Sequence, residues 1–441
     1  MKLPMPAPRL AGLFQQTAST RLGAILELHL GATQDNKYHH WDTLRHLKPP
    51  GGFSPEEYWL AVKVARSSLL RPLPLIGKDG TPFRTALCDP VLASLHRLDR
   101  MAAGSLLISE AVANASTRDS YLISQLIEEA ITSSQLEGAA TTRHVAEQML
   151  RAQRTPVTRD ERMILNNYRA MTRIRELQTE RLRPTHIREI HRVLTEGTLR
   201  DPRDSGRLRT ERDEVVVEDI RDGVILHVPP SAGLLQSRLE LLCRVANESE
   251  AEPFLHPVIR AILLHFWIAY DHPFVDGNGR TARALFYWSM LRQGYWLAEF
   301  LSISTVLKRA PGQYLRSYLL AESDENDMTY FVIAQLSVIE KAIEQLREVL
   351  RRRMEEVRRT ETLIRKSALL NARQIALMGH AIRNPGATYA IETHKNYHNV
   401  VYQTARTDLL QLARLGYLTK RRVGRKLVFT APPDVLARVK R

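Results

Sequence analysis

Twelve consecutive residues carry the densest chemistry in the chain: His272-Pro273-Phe274-Val275-Asp276-Gly277-Asn278-Gly279-Arg280-Thr281-Ala282-Arg283. They combine a proton acceptor, a hard oxygen ligand, a glycine-framed turn and two guanidiniums. Gly277 and Gly279 permit a tight turn and close approach of backbone to a ligand. The residues that follow (Ala282, Leu285, Phe286, Met290, Leu291) suit a helix, so the turn is expected to open one near Gly279. Free N–H groups and a positive dipole end at a helix start suit phosphate oxygens. Arg280 and Arg283, three apart, project from one face and can neutralise a polyphosphate. Asp276 suits a magnesium ion bridging phosphates, and an imidazole such as His272 takes up a proton near neutral pH. Taken one at a time, these residues could equally be a helix end and a solvated basic face. Their joint spacing points to a nucleotide's phosphates held beside a base.

The run resembles the Fic family motif HxFx(D/E)GNGRxxR at every defining position. The resemblance implies transfer of AMP from ATP to a Ser, Thr or Tyr hydroxyl of a target protein. By that analogy His272 deprotonates the hydroxyl and Asp276 holds Mg²⁺ on the α- and β-phosphates. Gly277, Asn278 and Gly279 cradle the anion, with Asn278 adding a side-chain donor. Arg280 steadies the phosphates near the transferred group, Arg283 takes the γ-phosphate, and Thr281 and Ala282 complete the ATP-binding turn. Phe274 packs into the core.

Upstream, Ser133-Ser134-Gln135-Leu136-Glu137-Gly138 resembles the Fic inhibitory pattern (S/T)xxxE(G/N), with Ser133 and Glu137 in its defining places. Apolar residues 123, 126, 127 and 131 are helically spaced before it. The implied role of Glu137 is a bidentate pair with Arg283 that withholds Arg283 from ATP. An ordinary surface carboxylate is the alternative. Gly206-Arg207-Leu208-Arg209 resembles the family's G-R-x-R segment. The β-prone runs Val215–Val217 and Val224–Val228 flank Asp222-Gly223, a hairpin signal. The family's flap stands at this place, which implies that Val224, Ile225, Leu226 and His227 face nucleotide and target. Tyr314 lies where some relatives have an adenine-pocket tyrosine, with a plain core tyrosine as the alternative. Glu322 stands where some carry an asparagine.

The elements that must position these residues follow from composition. A chain of 441 residues, 44% hydrophobic, suits two or three domains. No apolar run approaches the ~20 residues of a membrane span, and the start lacks the core of a signal peptide. Two cysteines, Cys88 and Cys243, fit a reducing compartment and no disulfide framework. A cytoplasmic protein is expected. The net charge is +15. From residue 351 onward, 20 Lys/Arg stand against 6 Asp/Glu, so nearly all the excess lies in the last fifth of the chain.

There, Thr404-Ala405-Arg406-Thr407-Asp408-Leu409 resembles the recognition-helix end of a winged helix-turn-helix domain, and Lys420–Phe429 reads as two wing strands around Gly424. DNA is the expected partner, with protein contact as the alternative. A homodimer is a further expectation, since family members often associate and winged helices bind paired half-sites.

The fold class expected is mainly α: a helical Fic core with a β-hairpin flap, then a small α/β winged helix domain. The domains are set at 1–104 (N-terminal extension), 105–350 (catalytic), 351–366 (charged helical linker) and 367–441 (winged helix). His39 and His40 have no third partner at metal-ligand spacing and read as structural. The function expected is an Mg²⁺- and ATP-dependent adenylyltransferase restrained by Glu137. A de-AMPylase of the same fold and a DNA-binding regulator with a nucleotide-sensing domain are the alternatives.

Overall fold

Helix-forming sequence dominates, and the computed structural model is mainly helical with three small antiparallel sheets among the described residues. It describes residues 2–102, 115–219, 222–248, 254–367, 369–423 and 426–439. The 104/105 domain boundary and the Gly424 turn of the expected wing lie outside them.

Two helices form the centre of the first compact unit, which takes in residues up to 105 and 125–342. Pro257–Asp271 reads RAILLHFWIAY through its middle and is apolar on every face, so it can only be buried; Ile262, Leu263, Phe266 and Ile268 have no exposure. Pro257 occupies the first turn, where its missing N–H costs nothing, and the His256 ring accepts from the Val258 N–H. Asn278–Arg292 is its buried partner, carrying Leu285, Phe286, Tyr287 and Trp288. Around this pair lie the helices Arg159–Leu177, Pro184–Thr195 and Leu235–Asn247. The helix Ala115–Leu136 delivers Ser133 and, one residue past its end, Glu137.

The flap is shorter than the sequence suggests: strands Val217–Glu218 and Ile225–His227 pair with an irregular register. The register shifts between Val217 and Glu218, so the two strands share only a short ladder.

The N-terminal hundred residues belong to the same compact unit. A hairpin, Leu70–Ile76 with Pro82–Ala86, follows the capped helix Pro55–Ser67, whose Ser54 and Glu57 form a capping box. Buried polar groups bind this segment to residues 324–330. Lys63 Nζ lies 2.8 Å from Asp324 Oδ1, and Tyr38 Oη donates to Asp327 Oδ2 at 2.6 Å. The Arg66 guanidinium stacks 3.6 Å over the Tyr38 ring and donates to Tyr330 Oη. His40 lies 3.2 Å from the Ser323 hydroxyl, a structural role in keeping with the absence of metal-ligand spacing.

Of the described residues, the second unit takes in 115–124 and 343–439. The charged run 351–366 is not a separate linker helix: one unbroken helix, Thr329–Arg365, runs through the 350/351 boundary. It is followed by the helix Ala372–Arg383, the strand Thr388–Ala390, the helices Ile391–His398 and Tyr402–Arg414, and the strands Thr419–Val423 and Lys426–Thr430. The last strand is central in the sheet. Phe429, Leu409, Leu412, Met378 and Ile382 fill this unit's own core. Asp408 is buried as its staple, accepting from Arg373, Asn371 and His394 at 2.8, 2.8 and 3.2 Å.

Candidate active site

The central helix pair is joined by the motif loop, and local conformations explain its sequence. Pro257–Asp271 ends where His272 turns left-handed at φ 46°, a conformation a non-glycine residue adopts only when its surroundings enforce it. The enforcement is visible. Arg209 Nε donates to His272 O at 2.8 Å, its Nη2 donates to Asp271 O and Pro230 O, and its backbone N–H donates to Pro273 O. The G-R-x-R arginine therefore clamps the helix end and the flap's exit together. Asp271 itself is tied to Arg238 and to the Trp267 indole.

His191, which the sequence did not single out, buttresses the loop from below. Its ring stacks on Phe274 with centroids 3.7 Å apart and planes 5° apart. The Gly206 N–H donates to Nδ1, so the proton sits on Nε2 and is donated to Asp276 O at 2.8 Å. Burial pushes this imidazole down to about 4, consistent with the single-proton ring those bonds require. Gly277, at φ 87°, caps the next helix; an added Cβ there would lie 2.8 Å from Thr195 Cγ2 and 3.2 Å from His191 Nε2.

The helix starts at Asn278. The Thr281 N–H and hydroxyl both go to Gly277 O, leaving the amides of residues 278–280 as the unpaired donors of the first turn. The Asn278 side chain is engaged in closing the loop: Oδ1 accepts from the Phe274 N–H and Nδ2 donates to Phe274 O, at 3.0 and 2.7 Å. That differs from the expected phosphate donor, because a buried amide satisfies itself on the nearest free backbone groups. Ala282 is fully buried and packs.

The charged groups converge on this turn. Arg280 is 1% exposed and gives one hydrogen bond, Nη1 to Leu194 O at 2.9 Å. Its Nε and Nη2 are buried with no hydrogen-bond partner. Buried unpaired donors on a guanidinium are costly, so these two are available to an anion at this turn, beyond the charges of Asp276 and Glu137 already nearby. Arg283, 2% exposed, donates Nε to Ser133 Oγ at 2.9 Å, Nη2 to Ser133 O at 3.0 Å and Nη2 to Glu137 Oε1 at 2.8 Å. The Glu137 contact is a single bond rather than the bidentate pair expected, since Ser133 takes the other donor. A Cβ at Gly279 would fall 2.3 Å from Glu137 Oε1, which places that carboxylate directly over the helix start. Burial raises the Glu137 carboxyl, but Arg283 and then Arg280 outweigh it and hold it below its usual range.

Asp276 is half exposed at the loop's outer edge, with Arg280 Nη2 and Arg159 Nη2 each 3.9 Å from one of its oxygens. A hard carboxylate with room beside it fits a magnesium ion shared with phosphates; among the described residues no group of three or more His, Cys, Asp or Glu could hold a metal alone. His272 donates Nδ1–H to Ala269 O at 3.1 Å, leaving Nε2 as the basic nitrogen. Burial pushes this ring down to about 4, despite the Ala269 carbonyl.

The flap residues divide. Ile225 is 51% exposed, and Leu226 lines a groove of about 710 Å³ with Leu3, Pro82, Leu319 and Glu322. His227 is buried and pins the flap: one ring nitrogen meets Glu322 Oε2 at 2.8 Å and the other Tyr270 O at 2.7 Å. It is thus turned onto Tyr270 and Glu322, and Glu322 has a partner of its own. Val224 O accepts from the Asp219 N–H. Tyr314 Oη lies 2.8 Å from His265 Nε2 and 3.0 Å from Tyr318 Oη, near Arg283.

Comparison with known proteins matches residues 181–290 to the Fic/DOC family model. This segment is the part of the chain that matches a Fic domain. Curated relatives include the protein adenylyltransferase Fic of Drosophila sechellia, 39% identical over 109 residues, 25% of this chain and 20% of that protein. The same-named protein of Drosophila ananassae is 38% identical over 109 residues, again 25% and 20% of the two chains. The chain thus spans about a fifth of the length of these relatives. Among solved structures, a Fic family protein from Desulfovibrio desulfuricans G20 aligns with a TM-score of 0.50 and 17% identity, over 78% of this chain and 97% of that one. This likeness supports the fold. The matched segment takes in His191, Arg209, the flap and His272 to Arg283; Ser133 and Glu137 lie outside it.

Proposed function

We propose that this protein is an adenylyltransferase that moves AMP from ATP to a protein hydroxyl and is held inactive by Glu137. One observation carries the reading: the Glu137 carboxylate lies over the amides of the first helical turn while bonding Arg283. The buried Arg280 beside it still has two unspent donors. An internal anion sits where a phosphate tail would bind, at a site with donors left for more.

The residues then have separable tasks. The amides of residues 278–280 and the Arg280 donors bind phosphate oxygens, a preorganised arrangement that suits phosphoryl-centre chemistry. A magnesium ion held by Asp276 would supply charge neutralisation between phosphates. His272 Nε2, neutral near pH 7, accepts the proton of the attacking hydroxyl. Arg209 and His191 keep the loop in shape so that these groups need no rearrangement. Glu137, once withdrawn, frees Arg283 for the distal phosphate.

The experiment compares wild type, Glu137→Gly and His272→Ala in the presence of Mg²⁺ and ATP, reading AMP adducts by mass on the protein itself and on lysate proteins. Adducts should rise at least tenfold in Glu137→Gly, an amount that corresponds to about 1.4 kcal/mol, and should vanish when His272→Ala is added. Loss of AMP from already modified protein, strongest in wild type, would favour the de-AMPylase reading.

For residues 367–439 we propose a winged helix that contacts DNA. The helix Tyr402–Arg414 and the strand Thr419–Val423 support it, with Lys420, Arg421 and Arg422 exposed along one strand, Val401 and Tyr402 exposed at the start of the helix, and Tyr397 exposed near the end of the helix before it.

A further inference from the structure

Arg159 belongs to neither motif, yet it reaches the same carboxylate as Arg280. It is the first residue of the helix Arg159–Leu177, after the N-cap Thr158. Its Nε donates to Thr198 O at 2.8 Å, which fixes the stem. Its Nη2 stands 3.9 Å from Asp276 Oδ2, and Arg280 Nη2 stands 3.9 Å from Oδ1. Neither distance is a hydrogen bond. The two cations flank Asp276 on opposite oxygens without spending donors on it. Arg280 is buried below the loop, whereas the Arg159 side chain is 58% exposed at the mouth.

Charge counting shows what such a placement serves. With Glu137 withdrawn, Arg280 and Arg283 face Asp276 and leave one uncompensated positive charge. Arg159 raises that to two, the number needed to match a triphosphate bearing one divalent cation. A nucleoside monophosphate carries a similar net charge, about −2, but has no β- or γ-phosphate for Arg159 to reach.

We propose that Arg159 is a third phosphate-binding guanidinium, which neutralises Asp276 in the nucleotide-free protein and turns onto the β- and γ-phosphates when a metal-bound triphosphate enters. This rests on the nucleotide-binding reading of the Fic domain. The planar fork anchored through Nε leaves both terminal nitrogens able to donate to phosphate oxygens. The exposed side chain has open solvent in which to make that turn.

The test is calorimetric binding, independent of turnover. Full-length Glu137→Gly protein and the same protein with Arg159→Ala or Arg159→Lys are titrated with Mg²⁺·ATP and, separately, with AMP. Arg159→Ala should weaken Mg²⁺·ATP at least tenfold and leave AMP within about twofold; Arg159→Lys should recover part of the loss. Equal weakening of ATP and AMP would make Arg159 a prop of the fold and overturn the proposal, as would unchanged ATP affinity. If the Glu137→Gly parent binds neither nucleotide, the site reading itself fails, and Arg159 with it.

Discussion

The imidazole of His272 illustrates how far a single residue's chemistry depends on its surroundings. Free in water it would titrate near 6.5. In the loop its Nδ1 proton is committed to Ala269 O, and burial brings the ring down to about 4. The sign is fixed by that direction: the neutral, proton-accepting form is complete at neutral pH and is lost only as pH falls through about 4. Turnover of the Glu137→Gly form should therefore be flat between about pH 6 and 8 in its His272-dependent part. A rate that halves near pH 6.5 would show a solvated base instead. Stability follows the same linkage. The unfolded chain takes up this proton near 6.5 and the folded chain does not, so the fold loses stability as pH drops below that range. His191, also brought down to about 4 by burial, adds to this effect.

At the scale of elements, the site is two buried helices and a loop whose shape is dictated by glycine and by long-range clamps. Gly277 shows the constraint most sharply, with φ 87° and Thr195 and His191 pressed against its missing side chain. Gly277→Ala should cost roughly 2 kcal/mol or more from backbone strain and crowding, read as a lowered thermal midpoint with nucleotide binding lost in step. An unchanged midpoint would mean that the loop is not held as described.

This is also the scale at which legibility in the sequence changes. His272, Asp276, Gly277, Gly279, Arg280 and Arg283 are neighbours in sequence, and their spacing alone suggests the phosphate site proposed above. The Glu137–Arg283 contact needed the second motif's resemblance, because 146 residues separate the partners. His191 and Arg159 were invisible. A lone histidine inside an amphipathic helix and a lone arginine at a helix start carry no local signal, and each acquires its role only from what the fold brings against it. The Asn278 amide and the His227 ring were assigned to ligand, whereas each is bonded to backbone carbonyls of its own neighbourhood. The flap's strands are shorter than their β-prone runs, with a register shift between Val217 and Glu218 that no local sequence signal marks.

Over the whole molecule, buried charge explains why the N-terminal segment resisted reading. Tyr38, Lys63 and Arg66 have no periodic or motif signature, yet all three are buried against Asp324, Asp327 and Tyr330. Among the described residues no helix is long and apolar enough to cross a membrane. The second unit holds the chain's excess positive charge, and its proposed partner follows from that. Binding to random duplex DNA should weaken steeply as salt rises from 50 to 200 mM, by roughly tenfold or more for a few phosphate contacts. Retention that ignores salt would point to a protein partner. The first unit holds the buried helix pair and the site, and its assigned chemistry can be put to one decisive trial.

That trial is incorporation from ATP labelled at either end, using the Glu137→Gly protein with and without His272→Ala. Label at the α-phosphate should enter protein, label at the γ-phosphate should not, and removing the imidazole should abolish the difference. Entry of γ-label, or equal α-label with and without His272, would contradict a site in which Glu137 guards a nucleotide nest beside a working base.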